Sequence, residues 1–209
     1  MQVKFGHTLI SHRPMQCFVH VPKSGGTSVE RAFQLQHAHR RANCSHSIAI
    51  VRDPIDRLSS AYHFCKKSPW DDVLARRKWP TTLHCCHSSM LQRDFSAWLL
   101  SIFEHKVGCI LPGAGFPHPY TASTSYWLAA SRTTTFLRTN CLEKDGERLL
   151  GVRLPKTNTS PNRNCNQNLT TAAWSAILGT AHHKDFQTLY HKNFRRIDDW
   201  RRVCETFRC

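Results

Sequence analysis

No stretch of this 209-residue chain approaches the run of roughly 18 consecutive apolar residues that a membrane-spanning helix requires. A transmembrane segment is therefore not expected. The opening residues, MQVKFGHTLISHRP, also lack the apolar centre of a secretory leader, which makes the cytoplasm the expected location. No self-similar period runs along the chain, so repeat architectures are excluded. Acidic residues are scarce: 14 Asp and Glu stand against 29 Lys and Arg, a formal net charge of +15. So basic a surface draws anions. Nucleic acid, phosphorylated nucleotides, anionic glycans and membrane headgroups all qualify, and charge alone selects none of them.

Cysteine is plentiful, with ten in the chain, and Asn43-Cys-Ser, Asn158-Thr-Ser and Asn168-Leu-Thr are formal glycosylation acceptors. Both features suit an oxidising lumen, so a Golgi or other secretory compartment is the alternative location. Because such tripeptides arise often by chance, the missing leader core carries more weight.

With 40% hydrophobic residues the chain can bury one sizeable core, and a single domain over 1–209 is expected. Met15-Gln-Cys-Phe-Val-His-Val21 is a short apolar run closed by Pro22 and reads as a buried strand. A glycine-bearing turn follows. Thr27-Ser-Val-Glu30 then fits a capping box, with Val29, Ala32 and Phe33 on one helical face. Ile48-Ala-Ile-Val51 has the length of a second buried strand, and Pro54 suits the first turn of a helix carrying Ile55, Leu58 and Tyr62. Residues 67–90 are polar and basic without a period, a loop or insert.

Phe95, Trp98, Leu99, Ile102 and Phe103 mark an amphipathic helix ended by the Gly/Pro-rich Leu111–Pro119. Thr134–Arg138 reads as a third strand and Leu142–Leu150 as a short helix. Asn158–Asn168 reads as a loop, and a C-terminal helical part over 170–209 holds a helix at Trp174–Leu178 and a basic one through Tyr190 and Trp200. Strands alternating with helices predict an α/β fold, a parallel sheet covered by helices on both faces.

The segment Pro22-Lys-Ser-Gly-Gly-Thr-Ser28 sits between strand and helix, where α/β sheets bind anions. Gly25 and Gly26 let a backbone approach a ligand without a Cβ in the way, Thr27 and Ser28 add hydroxyl donors, and Lys23 supplies a mobile cation. The plain alternative is a Gly-Gly turn that needs no ligand. A kinase or NTPase loop is the sharper rival, but its lysine follows the last glycine, and here it precedes both.

This loop resembles the 5′-phosphosulfate loop of sulfotransferases that use 3′-phosphoadenosine 5′-phosphosulfate (PAPS). Arg52-Asp-Pro-Ile-Asp-Arg-Leu-Ser-Ser-Ala-Tyr62 is similar to their 3′-phosphate motif, R-D-P-x-x-R-x-x-S-x-Y, and the two fall in family order. The likeness is nearest to the membrane-type or carbohydrate branch and its microbial and viral relatives. Phe136–Leu142 and Leu154–Ser160 resemble weaker downstream patterns of that branch. The resemblance implies a P-loop-type sheet and nucleotide-binding motifs within 15–66. It further implies PAPS as cosubstrate, with Pro22, Lys23, Ser24, Gly25, Gly26, Thr27, Ser28, Arg52 and Ser60 as its binding residues. It points to a hydroxyl-bearing acceptor, a glycan and on the charge argument an anionic one, with no nucleic acid.

Sulfuryl transfer needs the leaving phosphate neutralised, a role for Lys23, and the acceptor hydroxyl deprotonated by a positioned base. By resemblance the base lies between the two phosphate motifs, where Glu30, His37, His39 and His46 occur. Glu30 reads as part of the capping box and His46 as a solvated strand entry. That leaves His39, ahead of His37, with a basic surface turn as the alternative. His84-Cys-Cys-His87 lacks the two-residue separation of zinc-ligand pairs, so no metal is expected. Two rival functions remain, a P-loop kinase and a non-catalytic polyanion or nucleic-acid binder.

Overall fold

The structure, a computed structural model, describes residues 16–34, 46–67, 85–104, 121–129, 133–154 and 168–206. Along these residues run β1 (Gln16–Val19), α1 (Thr27–Ala32), β2 (His46–Val51), α2 (Pro54–Lys67), α3 (Ser88–Leu91), α4 (Phe95–Phe103) and α5 (Thr124–Leu128). After them come β3 (Thr133–Arg138), a 3₁₀ turn (Thr139–Cys141), α6 (Leu142–Leu150), α7 (Thr171–Leu178), α8 (His182–Tyr190) and α9 (Ile197–Thr206). The chain divides into two interleaved compact units, one of residues 1–53, 123–163 and 207–209 and the other of 54–122 and 164–206.

The first unit is a parallel sheet in the order β1-β2-β3, flanked by helices. Gln16, His46 and Thr133 align at one end, and Val51 pairs with Arg138 at the other. Phe18, Ile48, Ile50 and Leu137 share one face and pack with Val29 of α1, Leu142 of α6 and Leu154. Each such side chain contributes about 1.5–3 kcal/mol when buried. Cys17, Val19, Ala49 and Val51 alternate onto the opposite face and are buried as well. That two-sided burial explains why the strands read as continuous apolar runs.

The predicted strands and the helices at Pro54, Phe95 and Leu142 all form. The capping box does not: α1 starts one residue early with Gly26 as its N-cap, and a glycine has no side chain to bond the cap. The expected single basic C-terminal helix is two, α8 and α9, since His191 takes a left-handed conformation at φ 55° and ends α8.

The second unit is helical. Trp98 is fully buried on α4, and its indole N–H donates to the Cys85 carbonyl at 2.8 Å. Tyr62 lies against Phe95 and Trp98, and its hydroxyl donates to the Arg93 carbonyl at 2.6 Å. The fully buried Arg57 donates to the Ala122 carbonyl. Trp174, Phe186 and Trp200 bring α7, α8 and α9 together. A disulfide joins Cys65, near the end of α2, to Cys86 before α3. Cys17, Cys85, Cys141 and Cys204 are also in disulfides, and no cysteine is free among the described residues.

Candidate active site

β1 ends at Val19, and the chain turns over Pro22–Gly26 into α1. Two residues of that turn have positive φ, Gly25 at 91° and, unusually for a residue with a Cβ, Lys23 at 63°. A left-handed lysine costs on the order of 1 kcal/mol, and such outliers collect where a loop is shaped for binding. Alternating the sign of φ turns successive amides toward one side, the arrangement of an anion nest. Gly25, Gly26 and Thr27 donate their amides to no other described residue. The Ser24 hydroxyl is wholly buried and likewise has no partner.

Two cations attend this turn. Arg52, the residue after β2, donates from Nη1 to the Lys23 carbonyl at 3.2 Å. Burial, and secondarily the charge of Arg52, lower the Lys23 ammonium to about 8. Unpaired amides, an orphaned hydroxyl and two cations form a donor set suited to a phosphate ester. α1 has only six residues, so its dipole adds little and the amides carry the attraction.

The loop is held from behind. His20 is buried, and its Nδ1 lies 2.5 Å from the Glu30 carboxylate. A Cβ on Gly26 would come within 2.6–2.8 Å of three atoms of the His20 imidazole. Gly26 is thus required by the ring beneath it, a reason the sequence did not show. From the other side Thr139 donates to the Ser24 carbonyl at 2.6 Å and approaches the Val51 carbonyl at 3.0 Å.

Pro22, Lys23, Ser24, Gly25, Gly26, Thr27, Ser28 and Arg52 all lie in the first unit, on the turn and at the end of β2. Ser60 lies half-buried on α2 in the second unit. His37 and His39 fall outside the described residues, as do His84 and most of the insert. Glu30 is buried and bonded to His20. His46 is the first residue of β2, at the strand's amino end, five residues or about 17 Å from Val51. Sequence reading missed His20 and Thr139.

Residues 6–108, which contain both motifs, match the sequence model of the sulfotransferase family. The chain belongs to the sulfotransferase family. No curated protein and no solved structure gives a significant match. Sulfotransferases move a sulfuryl group from a sulfo donor such as PAPS, and the matched segment of this sulfotransferase includes the nest, Lys23 and Arg52. No helix among the described residues is long and apolar enough to cross a membrane. Among them, no cluster of three or more His, Cys, Asp or Glu side chains is placed to hold a metal.

Proposed function

We propose that this sulfotransferase moves the sulfuryl group of PAPS to a hydroxyl of a carbohydrate acceptor, its 5′-phosphosulfate held by Pro22–Ser28. The observation that carries this reading is the set of unpaired amides at Gly25, Gly26 and Thr27 beside Lys23 and Arg52. PAPS supplies an activated sulfur–oxygen–phosphorus linkage. The amides and the Ser24, Thr27 and Ser28 hydroxyls hold the phosphate, and the Lys23 ammonium offsets charge that builds on the leaving oxygen. Arg52 and Ser60 take the 3′-phosphate, as the family resemblance assigns them.

The base that removes the acceptor proton is His39, with His37 as its rival. Two competitors in the same interval are weakened: Glu30 is committed to buried His20, and His46 starts β2 at the end remote from the turn. The chemistry calls for no metal. The net charge of +15 favours an anionic glycan as acceptor. Disulfides at every described cysteine favour an oxidising compartment over the cytoplasm that the opening residues suggested.

Titration decides the central point. Adenosine 3′,5′-bisphosphate should bind without magnesium and far more tightly than ATP, and labelled sulfate should pass from PAPS to a glycan. Magnesium-dependent ATP binding that excludes the bisphosphate would point instead to a kinase. Binding of any polyanion, with no preference for a 3′-phosphorylated nucleotide, would point to a binder without catalysis.

A further inference from the structure

Thr139 stands 115 residues beyond the loop carbonyl it bonds. It opens the 3₁₀ turn after β3, where the parallel register sets Arg138 beside Val51. From there one side chain reaches two other segments: the Ser24 carbonyl at 2.6 Å and the Val51 carbonyl at 3.0 Å. Carbonyl oxygens only accept, so the hydroxyl proton is shared between them or given to the nearer. A Cβ built on Gly25 would lie 3.5 Å from Thr139 Cγ2, so the threonine methyl borders that glycine too.

Ser24 sits between the two left-handed residues Lys23 and Gly25. For the amides of Gly25, Gly26 and Thr27 to face an anion, the intervening carbonyls must turn away, because a carbonyl oxygen pointed at a phosphate repels it. The Gly25 and Gly26 carbonyls accept from amides of α1, and two further loop carbonyls are held back by side-chain donors: Lys23 O takes Arg52 Nη1, and Ser24 O takes Thr139 Oγ1. Arg52 is also assigned to the nucleotide, which leaves Thr139 to act through the backbone of the loop.

We propose that Thr139 is a positioning residue for sulfuryl transfer. Its hydroxyl ties the phosphate loop to the end of β2 and keeps the loop amides aimed at the donor's 5′-phosphate. The proposal rests on the reading that Pro22–Ser28 holds that phosphate, and the test separates the two. Adenosine 3′,5′-bisphosphate and adenosine 3′-monophosphate differ only in the 5′-phosphate, so the ratio of their affinities reads the grip of the loop.

Wild type should prefer the bisphosphate strongly. Thr139→Val, which keeps shape and removes the hydroxyl, should weaken bisphosphate binding about tenfold. It should leave the monophosphate within a factor of two, with KM for PAPS raised in step. Thr139→Ser, which keeps the hydroxyl, should restore most of the ratio. A wild type with no preference overturns the loop reading itself. A wild-type ratio retained in Thr139→Val overturns only the role of Thr139, as does an equal loss for both ligands with a lowered melting temperature, which marks a general prop of the fold. Should the valine variant not fold, Thr139→Ser remains decisive, because a ratio lost there shows that the hydroxyl is not what matters.

Discussion

Lys23 carries a charge into a place that opposes it, since burial and neighbouring Arg52 lower its ammonium to about 8 from an ordinary 10.5. In the unfolded chain the group keeps its proton to higher pH, so between those values the unfolded state binds more protons than the folded one. Stability of the unliganded protein should therefore rise as pH goes from 8 to 10.5. Lys23→Met should flatten that rise in urea titrations taken at several pH values, and should lower the turnover number roughly 10²–10³-fold. An unchanged slope would mean that the ammonium is not held where the structure places it. Gly26→Ala probes the other side of the turn. Its Cβ would meet the ring of His20, which is buried and bonded to Glu30 and cannot swing clear. A loss of about 1–3 kcal/mol in urea unfolding is expected, and His20→Ala in the same chain should recover part of it. The glycine pair and its lysine were legible because strand, turn and helix are adjacent in sequence. The reason for Gly26 was not legible, since it depends on the direction in which His20 points. Thr139 was hidden for a like reason: nothing in one sequence pairs it with Ser24.

Among the elements, those with a strong local period were readable and those fixed by contacts were not. β1 and β2 are buried on both faces, so their sequences are nearly unbroken apolar runs, β3 buries Leu137 and leaves Thr134 and Thr135 half-buried, and α2 announces itself with Pro54 in its first turn. α3 and α5 have four and five residues, too few to show a helical period, and Ser123 caps α5 by accepting from the Tyr126 amide. The break between α8 and α9 turns on one left-handed histidine, a residue type that gives no such warning. The Cys65–Cys86 link is another feature that ten cysteines cannot reveal, since their pairings are too many to choose among. It closes a sequence separation of 21 residues. On the chain-entropy account a loop of that size contributes about 3 kcal/mol. Replacing both cysteines with alanine should lower the melting temperature by roughly 6–12 °C in a chain of this length. A calorimetric shift below about 2 °C would show that the link adds nothing to stability in solution.

For the molecule as a whole, the net charge of +15 acts on every anion that approaches, whereas the nest proposed for the 5′-phosphate would act only on the group bound in it. These two effects respond differently to salt. At ~0.1 M ionic strength charges are screened beyond about 10 Å, so attraction of a large anionic acceptor from a distance fades as salt rises, while contacts between buried amides and a bound phosphate fade far less. If the acceptor is an anionic glycan, raising sodium chloride from about 0.05 to 0.5 M should raise its KM at least tenfold, because several exposed cations are screened at once. The turnover number at saturating acceptor should change by less than a factor of two, since the field brings the glycan in but does not move the sulfuryl group. A neutral sugar alcohol assayed alongside supplies the control, and its KM should stay nearly level. If the neutral acceptor shows the same dependence, salt is weakening the grip on PAPS, and the basic surface serves the donor rather than the acceptor. If neither responds, the charge has no part in turnover and the argument for an anionic glycan is lost, while the assignment of the phosphate loop, which rests on amides and Lys23, stands unaltered.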